Sequence, residues 1–185
     1  MDFIVYFKSY IVSCIFFFSV GTFIYDNLIF KQFFLEEFMI DKNCAYCMKD
    51  ENPSLYQKFG YFAFETKTSN VYIFKEQSHP GRAIVAYKEH VSEIIELTDE
   101  ERNDFFKDVN DVASAIHKAF NPNKLNYGAY GDTGHHLHVH LCPKYKDQYE
   151  WGGVFEMNPH KCELSDEECE KLARKLEEAY NAVRK

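Results

Sequence analysis

Positive charge is in short supply. The 185-residue chain carries 21 lysines and arginines against 29 aspartates and glutamates, a formal net charge of −8. That shortage argues against a general nucleic-acid binder, which needs a basic surface. A small anionic substrate stays compatible if its pocket is locally positive or rich in hydrogen-bond donors. The cysteine pattern of a secreted disulfide scaffold is also lacking. Six cysteines, at positions 14, 44, 47, 142, 162 and 169, are irregularly spaced in a chain long for that class. Reduced thiols in a cytoplasmic protein are the expectation. Internal repeats are absent, and no low-complexity segment follows residue 39.

Residues 1–38 differ from everything after them and hold ten of the 18 phenylalanines. They lack what a signal peptide needs: Asp2 offsets Lys8 in the first residues, and no A-x-A-like cleavage site follows. Ser9 to Tyr25 is 17 residues without a charge, just short of a membrane span. Leu35-Glu36-Glu37-Phe38-Met39 reads as a translated ribosome-binding site before a start codon, since GGAGGA-type DNA encodes Glu-Glu in one frame. The expectation is a domain over residues 39–185 that begins at Met39. A membrane anchor over 1–38 is the alternative.

Along the remainder, Tyr61–Thr66 (YFAFET) and Val71–Phe74 (VYIF) predict two strands around a Lys67–Asn70 turn. Ala83–Tyr87 (AIVAY) is a continuous apolar run after Pro80-Gly81 and predicts a buried strand. Thr98 with Glu101, and Ser165 with Glu168, form capping boxes. After the first, Phe105, Val109, Val112, Ile116 and Phe120 keep helical spacing up to Asn121-Pro122. After the second, Leu172, Leu176, Ala179 and Val183 do the same. Leu125–Tyr130 and His136–Cys142 predict two more strands, the last stopped by Pro143. The sum is an α+β fold: a mainly antiparallel five-stranded sheet with a central helix and a C-terminal helix.

Residues 134–143 read GHHLHVHLCP. Strand side chains alternate faces, so His136, His138 and His140 share one face and Leu137, Val139 and Leu141 the other. Two chemistries use such a row. Imidazoles can bind a zinc that activates water. Alternatively, one imidazole is the nucleophile, and its neighbours set its tautomer and protonate the leaving group. Cys44-Ala-Tyr-Cys47 has metal-ligand spacing, but no second CxxC accompanies it, so two reduced thiols remain an alternative.

His136-Leu-His138-Val-His140-Leu-Cys142 resembles the motif of the histidine triad (HIT) superfamily. The context is similar too: LNYGAYGD (125–132) upstream, LCPKY (141–145) downstream, Pro80-Gly81 before a strand and Lys88-Glu89-His90 after it. The resemblance runs from about Asn43 to Pro159. It implies a HIT-like fold and a nucleotide hydrolase or transferase. Such enzymes cleave nucleoside phosphoramidates or dinucleoside polyphosphates at the α-phosphate. His138 would be the nucleophile and form a nucleotidyl-imidazole. His140 would lie by the phosphate and serve in proton transfer, with His136 completing the triad. Thr133 would hydrogen-bond the phosphate, and Asp132 and Asn126 would join it in holding the substrate. Cys44, Cys47, His90 and His136 would hold a structural zinc, as in bacterial members with a CxxC. A homodimer is implied, and Trp151 could help close the nucleotide site or the dimer.

One departure stands out. Arg82 follows Gly81 where many members carry a histidine. It could pair with a substrate phosphate through its fork of donors or point to solvent. It keeps open a binding protein with little turnover. A hydrolase in which zinc uses all three triad histidines is a further alternative.

Overall fold

The structure, a computed structural model, describes residues 41–184. The expected hydrophobic extension 1–38 and the boundary at Met39 lie outside the described residues. Five strands and two long helices follow in the order β1 (Gly60–Glu65), β2 (Ser69–Phe74), β3 (Ala83–Tyr87), α1 (Asp99–Phe120), β4 (Lys124–Gly128), β5 (His138–Lys144) and α2 (Asp166–Val183). The strands form one sheet in the order β1-β2-β3-β5-β4, and every neighbouring pair is antiparallel. No helix among the described residues is long and apolar enough to cross a membrane.

Both helices begin where the capping boxes predict. Thr98 accepts from the Glu101 amide at the start of α1, and Ser165 accepts from the Glu168 amide at the start of α2. Each glutamate returns a bond to its cap residue's backbone, so two orphan amides are satisfied at each end. Helix α1 stops at Asn121, which takes the left-handed conformation with φ 49°.

The helices pack on one face of the sheet. Phe105, Val109, Val112 and Ile116 of α1 and Ala173 and Leu176 of α2 meet Val71, Ile73, Ala83, Val85, Val139 and Leu141. The opposite face is covered as well. Tyr72, Phe74, Ile84 and Ala86 lie there under Tyr56, with Tyr46, Phe59 and Phe62 packed against them. Every residue of β2 and β3 is therefore buried, which is why these strands read as apolar runs rather than alternating ones.

Two sequence expectations need correction. His136 does not belong to β5, which begins at His138; it sits in a bend just before the strand. Pro143 does not stop β5 but lies inside it, paired with Leu125. The β3 ladder has already ended at Leu141, so the missing N–H costs no bond on that side.

Candidate functional site

Three backbone devices assemble the site. A turn over Asp41–Cys47, with the Cys44 amide on the Asp41 carbonyl, presents both thiols. The Gly131–His135 turn closes with the His135 amide on the Gly131 carbonyl and delivers His136. The third is the approach to β3. Gly81 has φ 91°, and a Cβ there would come within 2.6 Å of the Phe120 ring, so glycine is required. Buried Gln77 brackets this turn, accepting from the Gly81 amide and donating to the Phe74 and Arg82 carbonyls.

Cys44, Cys47, His90 and His136 come together with their ligand atoms within 4.8 Å of one another. His136 Nδ1 is 3.3 Å from Cys44 Sγ and 3.5 Å from Cys47 Sγ, and His90 Nδ1 is 3.1 Å from Cys47 Sγ. Sulfur and nitrogen bound to one tetrahedral zinc stand about 3.6 Å apart, so the set fits that ion. A hydrogen bond from Cys47, reinforced by His136, pulls the Cys44 thiol well below its ordinary value, towards the thiolate a metal needs. His136 Nε2 donates to the Tyr87 carbonyl at 2.8 Å, which leaves the Nδ1 lone pair facing the thiols. Among the triad histidines, His136 alone belongs to this group.

His138 has the opposite arrangement. Its Nδ1–H donates to the His136 carbonyl at 2.6 Å, so Nε2 carries the lone pair. Burial lowers its pKa, partly offset by that backbone bond. It is a neutral imidazole near pH 7. Tyr46, between the two cysteines, stacks at a tilt on both His136 and His138, with ring centroids 5.0 and 5.2 Å away.

His140 is 4% exposed. Burial, then the proximity of the His138 ring and of the Arg82 charge, push its pKa down to about 2. Its ring stands edge-on to Phe74 at 5.6 Å and to His138 at 5.1 Å. Arg82 does not point to solvent: it is fully buried. Its guanidinium lies over Phe74 at 4.1 Å and near Phe155 at 5.0 Å, and donates to the Met157 carbonyl at 2.6 Å. A second buried cation, Lys144, lies further along β5, 3.9 Å from Glu150.

Asn126 pairs with Cys142 and Gly128 with His140, so Asn126 shares the triad face. Asp132 and Thr133 are exposed in the turn before His136. Among the described residues, no side-chain hydrogen bond ties either to the triad. Trp151 is 44% exposed, and the segment that holds it places Phe155 and Met157, rather than the tryptophan, against Arg82. Tyr46, Phe74, Phe155 and Met157 were not singled out in the sequence. Only Tyr46 carries a signal, since it lies between two cysteines expected to share a metal site with His136.

Residues 62–147 match the family model described as "HIT domain", and the chain carries a HIT domain. The chain is 30% identical over 91 residues to the asymmetrical bis(5'-nucleosyl)-tetraphosphatase of Schizosaccharomyces pombe, covering 46% of this chain and 50% of that protein. The chain thus spans about half the length of this relative. It is 25% identical over 129 residues to the bis(5'-adenosyl)-triphosphatase of Dictyostelium discoideum, covering 64% of this chain and 87% of that one. In fold it is similar to a histidine triad protein of Sinorhizobium meliloti (TM-score 0.62, 22% identity, 68% of this chain and 93% of that one). It is also similar to a zinc-bound histidine triad family protein of Mycobacterium smegmatis (TM-score 0.51, 16% identity, 66% of this chain and 85% of that one).

Proposed function

We propose that this chain is a nucleotide hydrolase or transferase acting at the α-phosphate of dinucleoside polyphosphates or nucleoside phosphoramidates, with His138 as nucleophile. One observation carries the reading: the Nδ1 proton of His138 is held by the His136 carbonyl, so a neutral imidazole keeps its Nε2 lone pair. Attack by Nε2 on the α-phosphorus forms a P–N bond and breaks the bond to the leaving group, which departs as a nucleoside polyphosphate or, once its nitrogen has taken a proton from water, as the neutral amine. Water then cleaves that bond, releasing the nucleoside monophosphate and restoring the imidazole. Thr133, Asp132 and Asn126 are the proposed substrate contacts around the phosphate, and His140 lies beside it. The names of the tetraphosphatase and triphosphatase relatives support the substrate class.

Cys44, Cys47, His90 and His136 would hold a zinc ion. A closed four-ligand site supplies structure rather than catalysis: it fixes His136, whose carbonyl aligns His138. Among the described residues β4 is the last strand of the sheet and its Tyr127 is exposed, which supports a homodimer through that edge, and cysteines outside any disulfide there support a cytoplasmic setting.

The packing of Arg82 beneath Phe155 and Met157 favours a second reading, a nucleotide-binding protein with little turnover. Release of AMP from diadenosine polyphosphate and from adenosine phosphoramidate separates the two. The full chain is expected to release AMP, and His138→Ala to lose about four orders of magnitude or more. Nucleotide binding without AMP release would favour the binding protein.

A further inference from the structure

We infer that Arg82 is a positioning residue: by donating to Nδ1 of His140 it fixes that imidazole as the Nε2–H tautomer, a neutral hydrogen-bond donor for the substrate phosphate. The inference rests on His138 as nucleophile for its catalytic meaning, but not for its geometry. Arg82 Nη2 stands 3.5 Å from His140 Nδ1, and both residues are buried. A guanidinium has only donors. A protonated Nδ1 would set N–H against N–H in a buried site, so Nδ1 must accept and the ring proton must sit on Nε2.

The guanidinium has little freedom to do otherwise. Phe74 and Phe155 flank it, and Met157 takes donors at its carbonyl and at Sδ, 2.8 Å from Nη2. The nearest carboxylate, Glu76, is 3.8 Å away and itself buried. Arg82 is therefore a fixed charge rather than a mobile clamp. Lysine at this position would keep the charge but not the planar fork.

The consequence is a division of labour between adjacent rings. His138 carries its proton on Nδ1 and offers a lone pair at Nε2. His140 carries its proton on Nε2 and offers a donor. A phosphate attacked by one is hydrogen-bonded by the other, and the donor needs no proton exchange to act. His140 is then a fixed donor, not the acid or base expected from the sequence. The arginine does, from the head of β3, what a neutral histidine could do only if its own tautomer were fixed.

The test is the tautomer itself. Long-range proton–nitrogen correlation on the full chain with 15N-labelled histidine reports which ring nitrogen of each histidine is protonated. The parent is expected to show His140 as Nε2–H. Arg82→Met is expected to show a mixture of both tautomers for His140, with His138 unchanged and dispersed amide signals. Arg82→Lys is expected to recover part of the preference. In turnover, Arg82→Met is expected to lower kcat by about a hundredfold, the cost of one preorganised donor, with KM nearly unchanged. His140 as Nδ1–H in the parent, or a tautomer indifferent to Arg82→Met and Arg82→Lys alike, would overturn the inference. A parent with the expected tautomer but no AMP release would overturn the proposed activity and leave the positioning role standing.

Discussion

At the scale of single residues, the three triad histidines stand in three different settings. His136 gives its Nε2 proton to the Tyr87 carbonyl, His138 gives its Nδ1 proton to the His136 carbonyl, and His140 meets Arg82. Their alternation was legible in the sequence because it is a local property of extended chain. Their tautomers were not, since each depends on a group brought in from elsewhere. Arg82 is the clearest case. Its type and place were visible, but the rings that bury it come from β2 and from a segment beyond β5. Burial, with the His138 ring and the Arg82 charge beside it, holds His140 down to about 2, against 6.5 ordinarily. Below about pH 6.5 the unfolded chain takes a proton there that the folded chain refuses. Stability is therefore full above that pH and falls as pH drops, by up to about 1.4 kcal/mol per pH unit for one proton. His138 and His79, also lowered by burial, add in the same direction. Urea midpoints between pH 7 and 5 are expected to fall less steeply in His140→Asn than in the parent. Equal slopes would contradict this account of His140.

At the scale of elements, the capping boxes were read correctly to the residue, because a cap is decided within four positions of chain. Thr98→Ala is expected to cost about 1 kcal/mol of stability in chemical denaturation and to leave turnover unchanged, since α1 lies on the face away from the histidines. Gly81 sets the opposite case. Its φ of 91° and the Phe120 ring both resist a side chain. Gly81→Ala is expected to cost about 1–3 kcal/mol and to lower kcat as well, because this turn aims Arg82. Denaturation and steady-state assays on the two variants check the contrast; equal effects on turnover would sink it. The strand boundaries near the histidines were less legible. Whether His136 or Pro143 belongs to β5 depends on where β3 and β4 end beside it, and that pairing is not a local property.

At the scale of the whole molecule, the central strands β2 and β3 are buried on both faces, and the second layer was the part hardest to foresee. Helical spacing announced the layer of α1 and α2. The other layer is built from turns and aromatic residues around Tyr46, Tyr56 and Phe59, which carry no periodic signal. The cysteine turn belongs to that layer, so the proposed zinc would tie it to the start of β5. Metal analysis is expected to find zinc bound to the full chain and lost in Cys44→Ser, with a lower thermal midpoint in that variant. A Cys44→Ser chain that melts with the parent would contradict a structural metal.

The central claim is covalent transfer through His138, and intact mass tests it most directly. The full chain is mixed with adenosine phosphoramidate or with diadenosine polyphosphate, quenched early and weighed beside His138→Ala. The account predicts an AMP-sized mass increase in the parent with at least one of the two substrates, and none in His138→Ala. An increase that persists in His138→Ala, or AMP release with no increase at any quench time, would contradict it.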